Sequence, residues 1–271
     1  MELRLVGSEM CIRDRFQNRS RSHAWFHNLM NIILLSPKDH WLDDHSVLLR
    51  DQRAIHICDV LKSTVGDQLR VGLRDGLQGQ GEVTSIQDGA VQLSVELHDS
   101  PPPRHHFDLV LALPRPKMLR RIFRAVAEFG VQNLYLINSA RVEKSYWQSP
   151  LLQVDAIDQA LVAGMERSRD TIAPRVHLCP RFRPFVEDQL TQICAGRPCW
   201  IADMDAPIAL SDCSSTPAVV MIGPEGGFVP FEIQLAEKTI AQRVNLGTRV
   251  LSVDTALTTV LAQALPGSNE I

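Results

Sequence analysis

No apolar run in the 271-residue chain approaches the ~18 residues that a membrane-crossing helix needs, so no spanning helix is expected. Charge of one sign is not in excess either. Lys and Arg number 28 against 31 Asp and Glu, a formal net charge of -3, which leaves any nucleic-acid contact to local basic patches. The six cysteines (Cys11, Cys58, Cys179, Cys194, Cys199, Cys213) form no C-x-x-C pair and no Cys/His cluster at metal-ligand spacing. They read as isolated thiols of a reducing cytoplasm, and no metal site is expected. Two phosphate-binding signatures are also missing. Without G-x-x-x-x-G-K-[ST] or G-x-G-x-x-G, kinase, GTPase and dinucleotide-binding readings lack support.

What is present is 45% hydrophobic residues, enough for two cores of ordinary size, and a pattern that changes along the chain. Residues 1–29 carry Arg4, Arg13, Arg15, Arg19 and Arg21 with no apolar core of a secretory signal, and read as a disordered or spurious leader before a native start at Met30. From 30 to 100 the chain offers short alternating runs, among them Asn31–Leu35, Gln68–Gly72, Gln80–Thr84 and Ala90–Glu96. Asp75-Gly76 and Asp88-Gly89 supply hairpin turns, and Arg53–Ser63 is the one helical stretch. A small β-barrel is expected there. Pro101-Pro-Pro103 is a stiff spacer, and from 105 to 271 strands alternate with helices. Strands at Phe107–Leu113, Val131–Ile137, Arg175–Leu178 and Cys199–Ala202, with helices from Lys117 to Gly130 and from Leu152 to Arg167, imply an α/β, mostly parallel sheet covered on both faces.

Two glycine turns stand at the carboxyl ends of strands in this second part. The apolar run Ala218–Ile222 opens into Gly223-Pro-Glu-Gly-Gly-Phe228 before a helix from Phe231. Then Arg243-Val-Asn-Leu246 opens into Gly247-Thr-Arg-Val-Leu251 before a helix from about Val253. A glycine turn lets backbone approach a ligand and offers it free N–H groups. Parallel sheets bind ligands outside their carboxyl ends. Read alone, either turn is an ordinary strand-to-helix connection; the repetition points to a ligand cradle.

Ile222-Gly-Pro-Glu-Gly-Gly-Phe228, with Leu246-Gly-Thr-Arg-Val-Leu251 and Asp254-Thr-Ala256, resembles the ribosomal RNA small subunit methyltransferase E family, of the SPOUT class. The resemblance runs from about Met30 to the end. It implies a carboxy-terminal trefoil knot, S-adenosylmethionine as methyl donor, N3 of a uridine in 16S ribosomal RNA as target, and a homodimer. His56…Val60-Leu-Lys62…Val65-Gly-Asp67 resembles the PUA-like amino-terminal domain of the same family. Carried over residue by residue, the donor site is Ile222, Gly223, Pro224, Glu225, Gly226 and Gly227, with Leu246, Gly247, Arg249, Val250 and Leu251. Glu225 would either hold a ribose hydroxyl or cap a helix. Arg249 would either stabilise a deprotonated uracil or pair with Asp254 or a phosphate. RNA contacts are expected from Lys62 and Arg70 in the first domain, with His56 either beside them or a plain helix-surface residue. Arg115, Lys117, Arg120, Arg121 and Arg124 form a basic helix face, and Arg167 and Arg169 follow in Glu166-Arg-Ser-Arg169, similar to a Glu-Gln-x-x-Arg segment of the family. Arg167 stands where Gln is expected and would line the substrate pocket. The family commonly reads Leu-Gly-Pro-Arg-Ile-Leu-Arg-x-Glu-Thr-Ala, whereas this chain has Thr248, Ser252 and Asp254 for the Pro, second Arg and Glu. The departures leave room for a different RNA target, or for an RNA-binding assembly factor without turnover.

Overall fold

The structure, a computed structural model, describes residues 32–213 and 217–265. The expected leader and the start at Met30 lie outside the described residues. Two six-stranded sheets organise the rest. The first contains β1 (Ile33–Leu35), β2 (His40–Asp43), β3 (Ser46–Leu49), β4 (Gln68–Leu73), β5 (Gln78–Gln87) and β6 (Ala90–Asp99). Its order is β1-β4-β5-β6-β3-β2, antiparallel except for β1 with β4. Alternation does its work here: Leu69 and Val71 of β4 and Val91, Leu93 and Val95 of β6 point into one core. Asp88 and Gly89 both take positive φ (50° and 74°), as the tight β5–β6 hairpin demands. The edge strands β1 and β2 do not pair with each other among the described residues, so the expected barrel is a half-barrel. The expected helix Arg53–Ser63 is shorter. It is α1 (Gln52–Ile55), capped by Asp51 accepting from the Arg53 N–H, then a π-turn over His56–Val60. Lys62, at φ 54°, takes a left-handed conformation that ends it.

The second sheet contains β7 (Phe107–Ala112), β8 (Asn133–Ile137), β9 (Arg175–Cys179), β10 (Cys199–Ala202), β11 (Ala218–Ile222) and β12 (Gln242–Val244). The order is β12-β10-β11-β7-β8-β9, and every pairing is parallel. Every residue of β7 and β11 is buried, as expected of central strands covered on both faces. The one charge among them, Asp108, is held by Arg197 at 2.8 Å and by the backbone and side-chain amides of Asn133. The covering helices are α2 (Pro116–Glu128), α3 (Val154–Ser168), α4 (Phe182–Pro184), α5 (Leu190–Cys194), α6 (Pro230–Thr239) and α7 (Val253–Ala262). Proline opens α2, Leu119, Ile122, Phe123 and Val126 are its buried stripe, and Gly130 at φ 68° ends it. Helices α2 and α3 meet backbone to backbone: a Cβ on Gly164 would stand 2.5 Å from the Arg124 carbonyl oxygen.

The two halves share β1. Ile33 and Leu35 enter the half-barrel core, while Ile32 and Leu34 enter the core of the parallel sheet. Arg74 pairs with Asp158 of α3, and the Thr171 hydroxyl donates to the Gly76 carbonyl at 2.6 Å. Hydrogen bonds from Asp75 N to Thr171 O (2.9 Å) and from Ile32 N to Glu166 O (3.3 Å) complete the seam.

Candidate cofactor and nucleic-acid site

Strand order reverses at β7: β8 and β9 lie on one side of it, and β11, β10 and β12 on the other. Ligands sit at the carboxyl edge beside such a reversal. There, over the ends of β10, β11 and β12, lies a cavity of about 750 Å3. Both glycine turns border it. Of the expected donor-site residues, Ile222 to Gly227, Leu246, Arg249, Val250 and Leu251 line it, and Gly247 does not. Gly247 contributes conformation, with φ 106° and its N–H bonded to Asn245 Oδ1 at 3.1 Å.

The first turn is closed by Gly227 N–H donating to the Pro224 carbonyl at 2.7 Å, with Gly227 at φ 73°. Gly223 has room for nothing more: a Cβ there would stand 3.0 Å from Phe228 N and 3.2 Å from the Gly227 carbonyl carbon. Phe228 is buried against Phe182, ring centroids 5.9 Å apart. Arg141, from the loop after β8, reaches over the turn and donates to the Gly226 carbonyl and, at 3.4 Å, to that of Gly227. Beneath the turn Glu232 is buried, accepting from Ser139 Oγ (3.0 Å), Ala140 N (2.7 Å) and Val229 N (3.0 Å). It ties the start of α6 to the loop after β8.

Polar groups that the two turns do not reveal line the same cavity: Asp203 and Asp205 after β10, and Arg243 on β12. Arg243 pairs with Asp203 at 3.3 Å and Glu237 at 3.0 Å. Glu225 faces Arg115 at 3.5 Å. Both are exposed, so the pair is worth about 0–1 kcal/mol and yields readily to a ligand. Asp254 pairs with Arg121 at 3.1 Å rather than with Arg249. The Ser252 hydroxyl bonded to it, with Arg121 adding to the effect, holds the Asp254 carboxyl below its ordinary range. Arg249 is exposed at the cavity and makes no side-chain hydrogen bond or ion pair among the described residues. No His or Cys lines the cavity among the described residues.

The expected RNA-contacting residues fall into two places. Arg115, Lys117, Arg120, Arg121 and Arg124 are all exposed and lead away from the cavity along the outer face of α2. Arg167 does not line the cavity: it stands at the far end of α3, 3.4 Å from Glu128 of α2, beside the half-barrel. Arg169 lies close to Arg70, whose guanidinium is pushed below its ordinary range by burial and by that neighbouring cation. Lys62 is exposed at the end of the π-turn.

Residues 101–265 match the model of an RNA methyltransferase domain, and residues 49–96 that of an RNA methyltransferase PUA domain. The chain belongs to this RNA methyltransferase family. It is 27% identical to ribosomal RNA small subunit methyltransferase E of Treponema pallidum over 249 residues, 89% of this chain and 92% of that one. The Synechocystis protein of the same name is 26% identical over 227 residues, covering 80% of this chain and 72% of its own. Among solved structures, ribosomal RNA small subunit methyltransferase E of Neisseria gonorrhoeae, bound to S-adenosylmethionine, superposes with a TM-score of 0.66 at 19% identity, covering 87% of this chain and 95% of its own. The fold, a parallel α/β sheet preceded by a PUA-like half-barrel, is therefore that of these methyltransferases. Among the described residues no helix is long and apolar enough to cross a membrane.

Proposed function

We propose that the chain methylates N3 of a uridine in small-subunit ribosomal RNA, with S-adenosylmethionine held between the two glycine turns. The observation that carries this reading is the cavity itself. Ten of the eleven donor-site residues expected from the family line one space of about 750 Å3. The residues present fit such a ligand. Ile222, Leu246, Leu251 and Val253 offer an apolar wall for a flat base, and the crowded backbone at Gly223 leaves main-chain groups rather than side chains to meet it. Asp203, Asp205 and Glu225 place carboxylates within the same space, suited to hydroxyl and ammonium groups. Bound there, the donor supplies a methyl group on a positively charged sulfur.

The chain has two tasks in that transfer. It must orient the uracil so that a bond forms from N3 to the methyl carbon as the carbon–sulfur bond breaks and leaves a neutral thioether, and it must favour loss of the N3 proton to solvent. Positioning supplies much of the first. For the second, the cavity has no imidazole or thiol among the described residues, and Arg249 is a cation tied to no carboxylate among them. Aimed at the developing uracil anion, it stabilises charge that exists only as the reaction proceeds. The exposed cations of α2 hold phosphates outside the cavity. Two copies of the chain and a trefoil knot through the second sheet belong to the same reading, as does a cytoplasmic location. Incubation with unmodified small-subunit RNA and donor, followed by nuclease digestion and mass spectrometry, is expected to show N3-methyluridine. A methylated base other than uridine would overturn the assigned target.

A further inference from the structure

A second cavity, of about 590 Å3, opens at the seam between the two domains. It lies at the opposite end of the parallel sheet from the glycine turns. Its floor is Ile32 and Ile33 before and in β1; one wall is Gln52, Ile55 and His56, and the other is Ala163, Glu166 and Arg167 of α3. The composition is that of a site for a flat, polar-edged ring. Apolar faces are supplied by Ile55 and Val60, 48% and 63% exposed and uncovered among the described residues. Polar edges are supplied by Gln52 and Glu166. The Glu166 carboxyl makes no side-chain hydrogen bond among the described residues, and burial raises its pKa despite the nearby Arg53. Arg53 itself is fully engaged by Asp39, Asp51 and the Leu34 carbonyl, so it stiffens the wall.

Charge connects this cleft to the reaction site. Lys117, Arg120, Arg121 and Arg124 share the outer face of α2, whose first turn stands at the glycine-turn end of the sheet. Its last turn stands beside the cleft, where Glu128 meets Arg167. At a rise of 1.5 Å per residue the 13-residue helix covers about 20 Å, roughly three to four nucleotides of extended strand.

We propose that this interdomain cleft is a second nucleobase pocket, taking a base of the same RNA strand that is not methylated, about three to four nucleotides from the target. It rests on the reading that the substrate is RNA. The pocket would measure the spacing between two unpaired bases, with α2 holding the phosphates between them. Stacking on apolar walls with a few polar groups at the ring edge is how single-stranded bases are gripped.

The test uses fluorescence anisotropy with fluorescein-labelled decauridylate, long enough to span both sites, and triuridylate, which is not. Ala163→Leu fills the cleft from α3, and Ile55→Glu puts a carboxylate on its exposed rim. Both variants are expected to weaken decauridylate binding by about tenfold, the size of one lost stacked base. Triuridylate binding and calorimetric donor binding should stay at the wild-type level. The donor measurement also reports folding, since the two cavities share no residue. Wild-type affinity for decauridylate in both variants would overturn the second pocket while leaving the methyltransferase reading intact. Failure of the wild-type chain to bind decauridylate at low salt would remove the single-strand reading altogether.

Discussion

Gly223 and Gly227 serve one loop for different reasons. Gly227 is needed for its left-handed backbone, whereas Gly223 is needed because the chain folds back against its own Cα. Gly226 is the tolerant member, since the nearest atoms to a Cβ there all belong to the flexible Arg141 side chain, the closest being its Cδ at 3.0 Å. Arg249 is distinguished by what it lacks. The other cavity arginines are committed, Arg141 to carbonyls of the turn and Arg243 to two carboxylates. Arg249→Ala should therefore lower kcat by roughly a hundredfold or more, as loss of one charge-stabilising donor does, with donor Kd changed by no more than about threefold. Single-turnover kinetics beside calorimetry separate the two. A large loss of donor affinity with kcat intact would make Arg249 a binding residue only. The glycines and Arg249 were legible in the sequence because each lies within a short contiguous motif. Arg141, Asp203 and Asp205 were not, because strand order alone brings them to the turn. Arg141 lies on the loop after β8 and meets Gly226 only because β11, β7 and β8 are neighbours.

At the scale of elements, buried polar groups fix the parts that shape the cavity. Glu232 is the clearest: it accepts three hydrogen bonds where it is almost wholly buried. Removing one donor from such a buried set costs about 1.5–3 kcal/mol. The far end of α7 is held by His105, whose Nε2 meets the Leu261 carbonyl at 2.8 Å while its Nδ1 accepts from Phe107 N. Those contacts require the neutral ring with its proton on Nε2. Burial depresses the His105 pKa below the ordinary 6.5. The linked stability is present above pH 6.5 and lost as pH falls from there through the depressed value, because the unfolded chain binds the proton first. Between pH 7.5 and pH 5.5 the wild-type Tm should fall more than that of His105→Gln; parallel profiles would show that this ring carries no pH dependence. Element type was readable for the central strands and α2, where apolar runs interrupted only by Asp108 and a strong stripe leave one interpretation. The short strands β2 and β3 were not anticipated. His40–Asp43 has no buried residue, so its pairing comes from β3 and leaves no pattern in its own sequence. The segment from Phe182 to Cys194 likewise breaks into α4, a π-turn and α5, which blurs its period.

For the whole molecule, the seam matters as much as either domain. A strand with one face in each core, an ion pair from Arg74 to Asp158 and a hairpin bonded to Thr171 place the half-barrel beside the amino ends of the parallel sheet. Arg167, expected to line the substrate pocket, does not reach the glycine-turn cavity for this reason: α3 carries it to the seam. A sequence motif shows which residues are close in the chain but not which end of a helix they occupy in the fold. The arrangement leaves the glycine-turn cavity at one end and the exposed cations of α2 leading from it. The measurement that bears most directly on this account is calorimetric titration of the whole chain with S-adenosylmethionine, beside Gly223→Val. Saturable one-to-one binding, weakened by about a hundredfold or more in the variant whose side chain has no space, is the predicted result. Wild-type chain that takes up no heat at millimolar donor, or a variant that binds as the wild type does, would contradict it.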